Sequence, residues 1–167
     1  LMEGSIVYNI PAAVMLEGAI DIDRLRTVFM KLIKRHEIYR TSFMMVNSEP
    51  VQKIRDDVQF EIDYKTSSTD YTDYTDYTDK IQYFIEPFDL SRAPLLRVEL
   101  RKLEEARQLL MIDMHHIISD GVSQGILIRE FMRLYGGEEL APLKLQYKDY
   151  SEWLRSEKQK ETARNMT

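Results

Sequence analysis

Groups able to handle protons or charge fall together in Met114-His115-His116-Ile117-Ile118-Ser119-Asp120-Gly121-Val122-Ser123, which holds two of the chain's three histidines. An imidazole titrates near neutral pH and is suited to taking or steering a proton. With a carboxylate four residues after His116 and a glycine next to it, three chemistries are open: metal ligation, acid–base work, or plain turn structure. Neighbouring side chains on a strand point to opposite faces, so His115 and His116 do not readily chelate one ion, and there is no cysteine to complete a zinc site. No metal is expected. Under the acid–base reading the same alternation sends one histidine into the core and the other toward a cleft. Asp120 would then fix the loop, pair with a cation or cap a helix starting near Val122, and Gly121 would leave the backbone free to turn and its amide free to donate. Under the structural reading both histidines are hydrogen-bonded sheet residues and Asp120-Gly121 is a turn. No Gly-x-Ser-x-Gly elbow accompanies the pair, and a serine, histidine and acid triad cannot be inferred from nearness in sequence.

The elements that must position this stretch follow from hydrophobic periodicity. Residues 107–114 form an apolar strand directly before it, joined by a tight connection at 103–106 to a strand over 95–102, so the two should pair antiparallel near the centre of a sheet. After it, Ile126, Leu127, Phe131 and Leu134 describe a helix with one buried stripe, ended by Gly136-Gly137. Earlier in the chain, residues 10–16 read as a strand. A helix capped by Asp21 or Asp23 then buries Leu25, Val28, Phe29, Leu32 and Ile33. His36 at its end reads as a capping or dipole-complementing residue. Arg40 precedes a strand at 42–46 and needs a carboxylate if buried. A turn at 47–50, a strand at 51–54 and a third at 58–64, on which Val58, Phe60, Ile62 and Tyr64 alternate, make a meander of short strands. Residues 66–79 repeat Thr-Asp-Tyr, a period matching neither strand nor amphipathic helix, and are expected to be an exposed or disordered loop before a helix at 80–86. A last helix runs from Tyr147 to about Arg164, with the only tryptophan, Trp153.

With 167 residues and 44% hydrophobic content, the chain suits one domain or a large part of one. A net charge of −5 with interleaved basic and acidic residues gives no nucleic-acid or anionic-membrane footprint. No apolar run approaches the roughly 20 residues of a membrane span, and the first residues lack a signal-peptide pattern, so a cytoplasmic location is the default.

Three stretches carry a family resemblance. Residues 114–123 resemble the His-His-x-x-x-Asp-Gly core motif of the condensation domains of nonribosomal peptide synthetases, in the form Met-His-His-x-Ile-Ser-Asp-Gly-Val-Ser. Arg35-His36-Glu37-Ile38-Tyr39-Arg40-Thr41-Ser42-Phe43 is similar to the family's Arg-His-Glu-x-Leu-Arg-Thr-x-Phe motif, with Tyr39 in place of leucine. Tyr147-Lys148-Asp149-Tyr150-Ser151-Glu152-Trp153 resembles Tyr-x-Asp-Tyr-x-x-Trp. Tyr8-Asn9-Ile10-Pro11 and Phe88-Asp89-Leu90 with Pro94-Leu95 also match habitual stretches.

The resemblance implies an α+β fold: a chloramphenicol acetyltransferase-like lobe with a mixed, mainly antiparallel β-sheet and helices packed against it. It spans residues 1–167 as a partial condensation domain, the N-terminal lobe, lacking the family's first motif and its C-terminal lobe. The implied activity is amide bond formation between an upstream acyl or peptidyl thioester and the amine of a downstream aminoacyl thioester. Both ride on the phosphopantetheine arms of peptidyl carrier domains, and no cofactor is bound directly. An adjacent adenylation domain and the C-terminal lobe are the further implied partners, and the motif's form is closer to the type accepting an L-configured upstream residue. By position His116 would face the tunnel between the lobes, aligning or deprotonating the amine or stabilising the tetrahedral species. His115 would be structural, Asp120 would pair with Arg40, and Gly121 would allow close approach of substrate and offer an amide to an oxyanion. Ser123 would make a polar contact. Because that tunnel lies between two lobes, the chain alone is expected to be inactive. The alternatives are an epimerization domain, sharing the His-His-x-x-x-Asp core, and a non-catalytic carrier-protein docking half-domain.

Overall fold

The computed structural model describes residues 5–66 and 77–165. Its centre is a pair of long antiparallel strands, β5 (Leu96–Glu104) and β6 (Arg107–His115), joined by a two-residue turn. β1 (Asn9–Glu17) pairs antiparallel with the other edge of β6, and β4 (Ile62–Thr66) pairs parallel with β5, giving the order β1-β6-β5-β4. The expected central pair is therefore found, and it is central because it is buried on both faces: Leu110 and Met114 on one side, Met111 and Asp113 on the other.

One face of the sheet is covered by α1 (Ile22–Arg35) and α3 (Gly121–Tyr135). Asp21 caps α1, its carboxylate accepting from Arg24 N at 3.0 Å, while Asp23 falls in the first turn. The five apolar positions read from the sequence, Leu25, Val28, Phe29, Leu32 and Ile33, are all buried. Phe29 lies 5.3 Å from the ring of Phe131 on α3 and 5.7 Å from Phe60. On the stripe expected for α3, Leu127 and Leu134 are buried and Phe131 packs partly against the core, but Ile126 is 36% exposed. One turn from the helix start, it looks outward into a cleft.

Alternation along β5 puts Leu96, Val98 and Leu100 in this core and turns Arg97, Glu99 and Arg101 to the opposite face. There Glu99, 2% exposed, accepts from Lys65 Nζ at 2.7 Å and Arg101 Nη2 at 2.6 Å. Asp113, wholly buried, accepts from Asn9 Nδ2 at 2.7 Å and has Arg97 Nε at 3.7 Å. Burial pushes the Asp113 carboxyl above the usual aspartate range, against the pull of Asn9 and Arg97.

Two expectations are corrected. The strand read over 58–64 begins only at Ile62, which pairs with Val98 on β5; Phe60 reaches the core from irregular chain. The strands read at 42–46 and 51–54 do not join a meander with it. They are β2 (Thr41–Val46) and β3 (Glu49–Ile54), a separate hairpin closed by Asn47 and Ser48, both left-handed at φ 51° and 66° as a two-residue turn of this hand requires. Pro50 sits on β3, a strand with only one hydrogen-bonded neighbour, where a missing donor is tolerated. The helix expected at 80–86 is α2 (Tyr77–Phe84). Of the Thr-Asp-Tyr segment, Thr66 closes β4 and residues 77–79 open α2, while 67–76 lie outside the described residues. The last helix is α4 (Tyr147–Asn165), and no helix among the described residues is long and apolar enough to cross a membrane.

Candidate functional site

Strand β6 ends at His115, and the chain leaves the sheet in a tight turn, Ile118 N donating to the His115 carbonyl at 3.1 Å. This break separates the two imidazoles. His115 is 7% exposed and lies on the same strand face as Asp113, its ring 5.9 Å from Tyr8 and 6.2 Å from Phe88. Its Nδ1 accepts from Ile117 N at 3.1 Å, which shapes the turn. Burial, and then the neighbouring His116, hold its pKa below the ordinary histidine value, so it is neutral at pH 7. The backbone of His116 is anchored, its N donating to Tyr8 O at 2.7 Å, and its ring is exposed in a cleft.

Asp120 is the N-cap of α3. Its Oδ1 accepts from Ser123 N and from Ser123 Oγ, each at 2.7 Å. Those two bonds, more than the nearby His116, draw its carboxyl below the usual aspartate range. Capping was one of the roles open to this residue. The pairing with Arg40 implied by the resemblance is not present: Arg40 Nε donates to Ile33 O at 3.2 Å, and Nη1 donates to the Arg55 carbonyl. The guanidinium thus ties the last turn of α1 to the chain just after β3 through carbonyl oxygens and needs no carboxylate. Arg40 lines a different cavity, with Met30 and Asp57. Gly121 is the first residue of α3, and a Cβ built there meets no atom within 4 Å. Neither its conformation nor its packing demands glycine, so what it provides is open space.

The cleft has a volume of about 360 Å³, and its lining includes His36, His116, Ser119, Glu130, Gln146 and Tyr147. A larger cavity of about 490 Å³ over the opposite sheet face, beside Arg97 and Glu99, contains neither histidine of the pair. Within the cleft Asp120, Ser123 and His116 are brought together as expected, without Arg40. Two residues of the cleft go beyond what the motifs indicate. His36 does cap α1, but its Nε2 also lies 2.6 Å from Glu130 Oε2. Glu130 drew no notice in the sequence, although Ser123, Ile126 and Glu130 at helical spacing mark one face of α3. Burial pushes the Glu130 carboxyl up, but the hydrogen bonds from Arg35 and His36 outweigh it and leave the group below the ordinary glutamate range. Tyr39 beside it is pushed up to about 12 by burial and then by the Glu130 charge, so it stays a neutral phenol.

With this geometry in view, comparison with known proteins is specific. The family profile described as Condensation domain matches residues 1–165. Bacitracin synthase 2 of Bacillus licheniformis is 49% identical over 159 residues, 95% of this chain but 6% of that protein. Gramicidin S synthase 2 of Aneurinibacillus migulanus is 49% identical over 148 residues, 89% of this chain and 3% of its own length. The chain thus spans a small part of the relatives it matches. Among solved structures, the X-domain from teicoplanin biosynthesis superposes with a TM-score of 0.80 at 26% identity, covering 93% of this chain and 35% of that one. The condensation domain from Monacolin K polyketide synthase, at 20% identity and a TM-score of 0.78, shares the fold. The α+β, chloramphenicol acetyltransferase-like lobe expected from the motifs is what is found.

Proposed function

This chain belongs to the condensation-domain family, and from that premise we propose that the protein it comes from joins two carrier-bound thioester substrates through an amide bond, with His116 at the reacting centre. The observation that carries the reading is the unequal standing of the two histidines: His115 is buried, neutral and bonded into the turn, while His116 is exposed in the cleft. The amine of the downstream aminoacyl thioester attacks the upstream thioester carbonyl. A carbon–nitrogen bond forms, the carbon–sulfur bond breaks, and the proton lost from nitrogen ends on the departing thiol. His116 aligns the amine or relays that proton. Gly121, at the open start of α3, leaves room for the substrate, and Asp120 and Ser123 hold that helix start in shape. Both substrates arrive on phosphopantetheine arms of upstream and downstream carrier domains, with an adenylation domain as neighbour.

The chain corresponds to the N-terminal lobe, and the cleft's other wall belongs to the second lobe, as its coverage of about a third of comparable domains supports. Residues 1–167 alone therefore fold without turnover. The test is condensation between two loaded carrier proteins by the full-length protein and its His116→Ala variant. Turnover is expected to fall by about 10²–10⁴-fold at an unchanged melting temperature. Undiminished turnover would remove His116 from the reaction, and full-rate turnover by the isolated chain would remove the need for a second lobe.

A further inference from the structure

Away from the His116 loop, one carboxylate joins the α3 wall of the cleft to the end of α1. Glu130 lies two helical turns beyond Ser123 on α3, and a single oxygen, Oε2, receives Arg35 Nε at 3.0 Å and faces His36 Nε2 at 2.6 Å. Its side chain is 14% exposed, so these charged contacts are little screened by water. Arg35 carries the constraint further. Its Nη1 donates to the Ala141 carbonyl at 2.5 Å, and its own carbonyl accepts from Gln146 Nε2 at 2.9 Å. Gln146 Oε1 in turn accepts from Glu37 N at 3.1 Å. Three walls of the cleft, the Ser123 face of α3, the end of α1 with the turn after it, and the segment leading into Tyr147, are therefore linked through the Glu130–Arg35 pair. The strand that delivers His116 takes no part in this linkage.

We propose that Glu130 is a positioning residue for the reaction at His116, setting the width of the cleft by bracketing Arg35 and His36. The inference rests on His116 being at the reacting centre. Reactions between two held substrates depend on near-attack geometry, and a wall displaced by about 1 Å costs on the order of a hundredfold in rate. Hydrogen-bonding geometry, more than charge, is what the bracket needs. A glutamine at 130 keeps an oxygen that accepts from Arg35 and His36, whereas an alanine keeps nothing.

The experiment uses the full-length protein with two loaded carriers, measuring kcat, KM for the acceptor carrier and melting temperature for Glu130→Ala, Glu130→Gln, His36→Gln and His116→Ala. For Glu130→Ala, kcat is expected to fall by about a hundredfold while the protein stays folded at the assay temperature, and Glu130→Gln should recover to within about tenfold of the parent. His36→Gln, which still donates to the carboxylate, should behave like Glu130→Gln. If Glu130→Ala does not fold, His36→Ala removes one arm of the bracket alone and should still lower kcat with KM less affected. Turnover within twofold of the parent in the alanine variants, or a glutamine variant as impaired as alanine, overturns the positioning role. A fully active His116→Ala protein overturns the underlying assignment instead, so the two failures are distinct.

Discussion

Asp120 and Arg40 each find hydrogen-bond partners without the other, the first in Ser123 at a helix start and the second in the carbonyls of Ile33, in the last turn of α1, and Arg55, after β3. If they act independently, the melting-temperature losses of Arg40→Ala and Asp120→Ala should add in the double variant. A double variant no less stable than Arg40→Ala alone would show a coupled pair. Glu130 makes a second test at this scale. Its folded pKa is depressed, so the stability it contributes is fully present above the ordinary glutamate value of about 4.3 and is lost as pH falls through the lower, folded value. The melting-temperature gap between the parent and Glu130→Gln should hold from pH 7 to about 5 and narrow as pH falls below the ordinary glutamate value of about 4.3. A gap independent of pH would mean that folding leaves the Glu130 pKa at its unfolded value. The His115 and His116 division follows from one peptide unit: the strand's alternation ends between them, and only the second imidazole is released from packing.

At the scale of elements, β6 delivers His116, and what holds β6 in place is different on its two faces. On the helix side it is ordinary packing of Leu110 and Met114 against α1 and α3. On the other side the buried Asp113 ties β6 to β1 through Asn9 and to β5 through Arg97, whose guanidinium lies 4.0 Å over the Phe88 ring. Arg97→Met keeps much of the packing but removes the cation from a wholly buried carboxylate. A loss of about 3 kcal/mol is expected in denaturant unfolding at pH 7, at the low end for a broken buried pair because Asn9 remains. The pH dependence has the opposite sign to that of Glu130. Burial raises the Asp113 pKa, so ionising it in the folded state opposes folding as pH rises through and above about 3.9. The variant should therefore lose less stability near pH 4 than at pH 7. A deficit equal at both values would place the effect in packing instead of charge.

For the whole molecule, the notable surface is on α4, where Tyr147, Tyr150, Trp153 and Leu154 are 47%, 53%, 56% and 37% exposed, and Tyr150 stacks on Trp153 at 5.9 Å. Trp153 is the only tryptophan, so its fluorescence reports on this face directly. In the isolated chain at low concentration its emission should be red-shifted and readily quenched by acrylamide. Protection that grows with protein concentration would mean that copies associate through the stripe. Much of the architecture was legible beforehand. Apolar periodicity located α1, α3 and the β5–β6 pair, down to the five buried residues of α1, because which face a side chain takes is a local consequence of helix or strand geometry. That one histidine would be buried and the other not was legible too, although the end of β6 at His115, and not alternation, produces it, and the motifs pointed to the family to which the chain belongs. Contacts between elements were another matter. That Arg40 would end on carbonyls and that Glu130 would join α3 to the end of α1 depends on where remote segments meet. Spacing along the chain does not encode those distances; they are decided when the helices pack on the sheet and each buried charge takes the nearest partner that satisfies it.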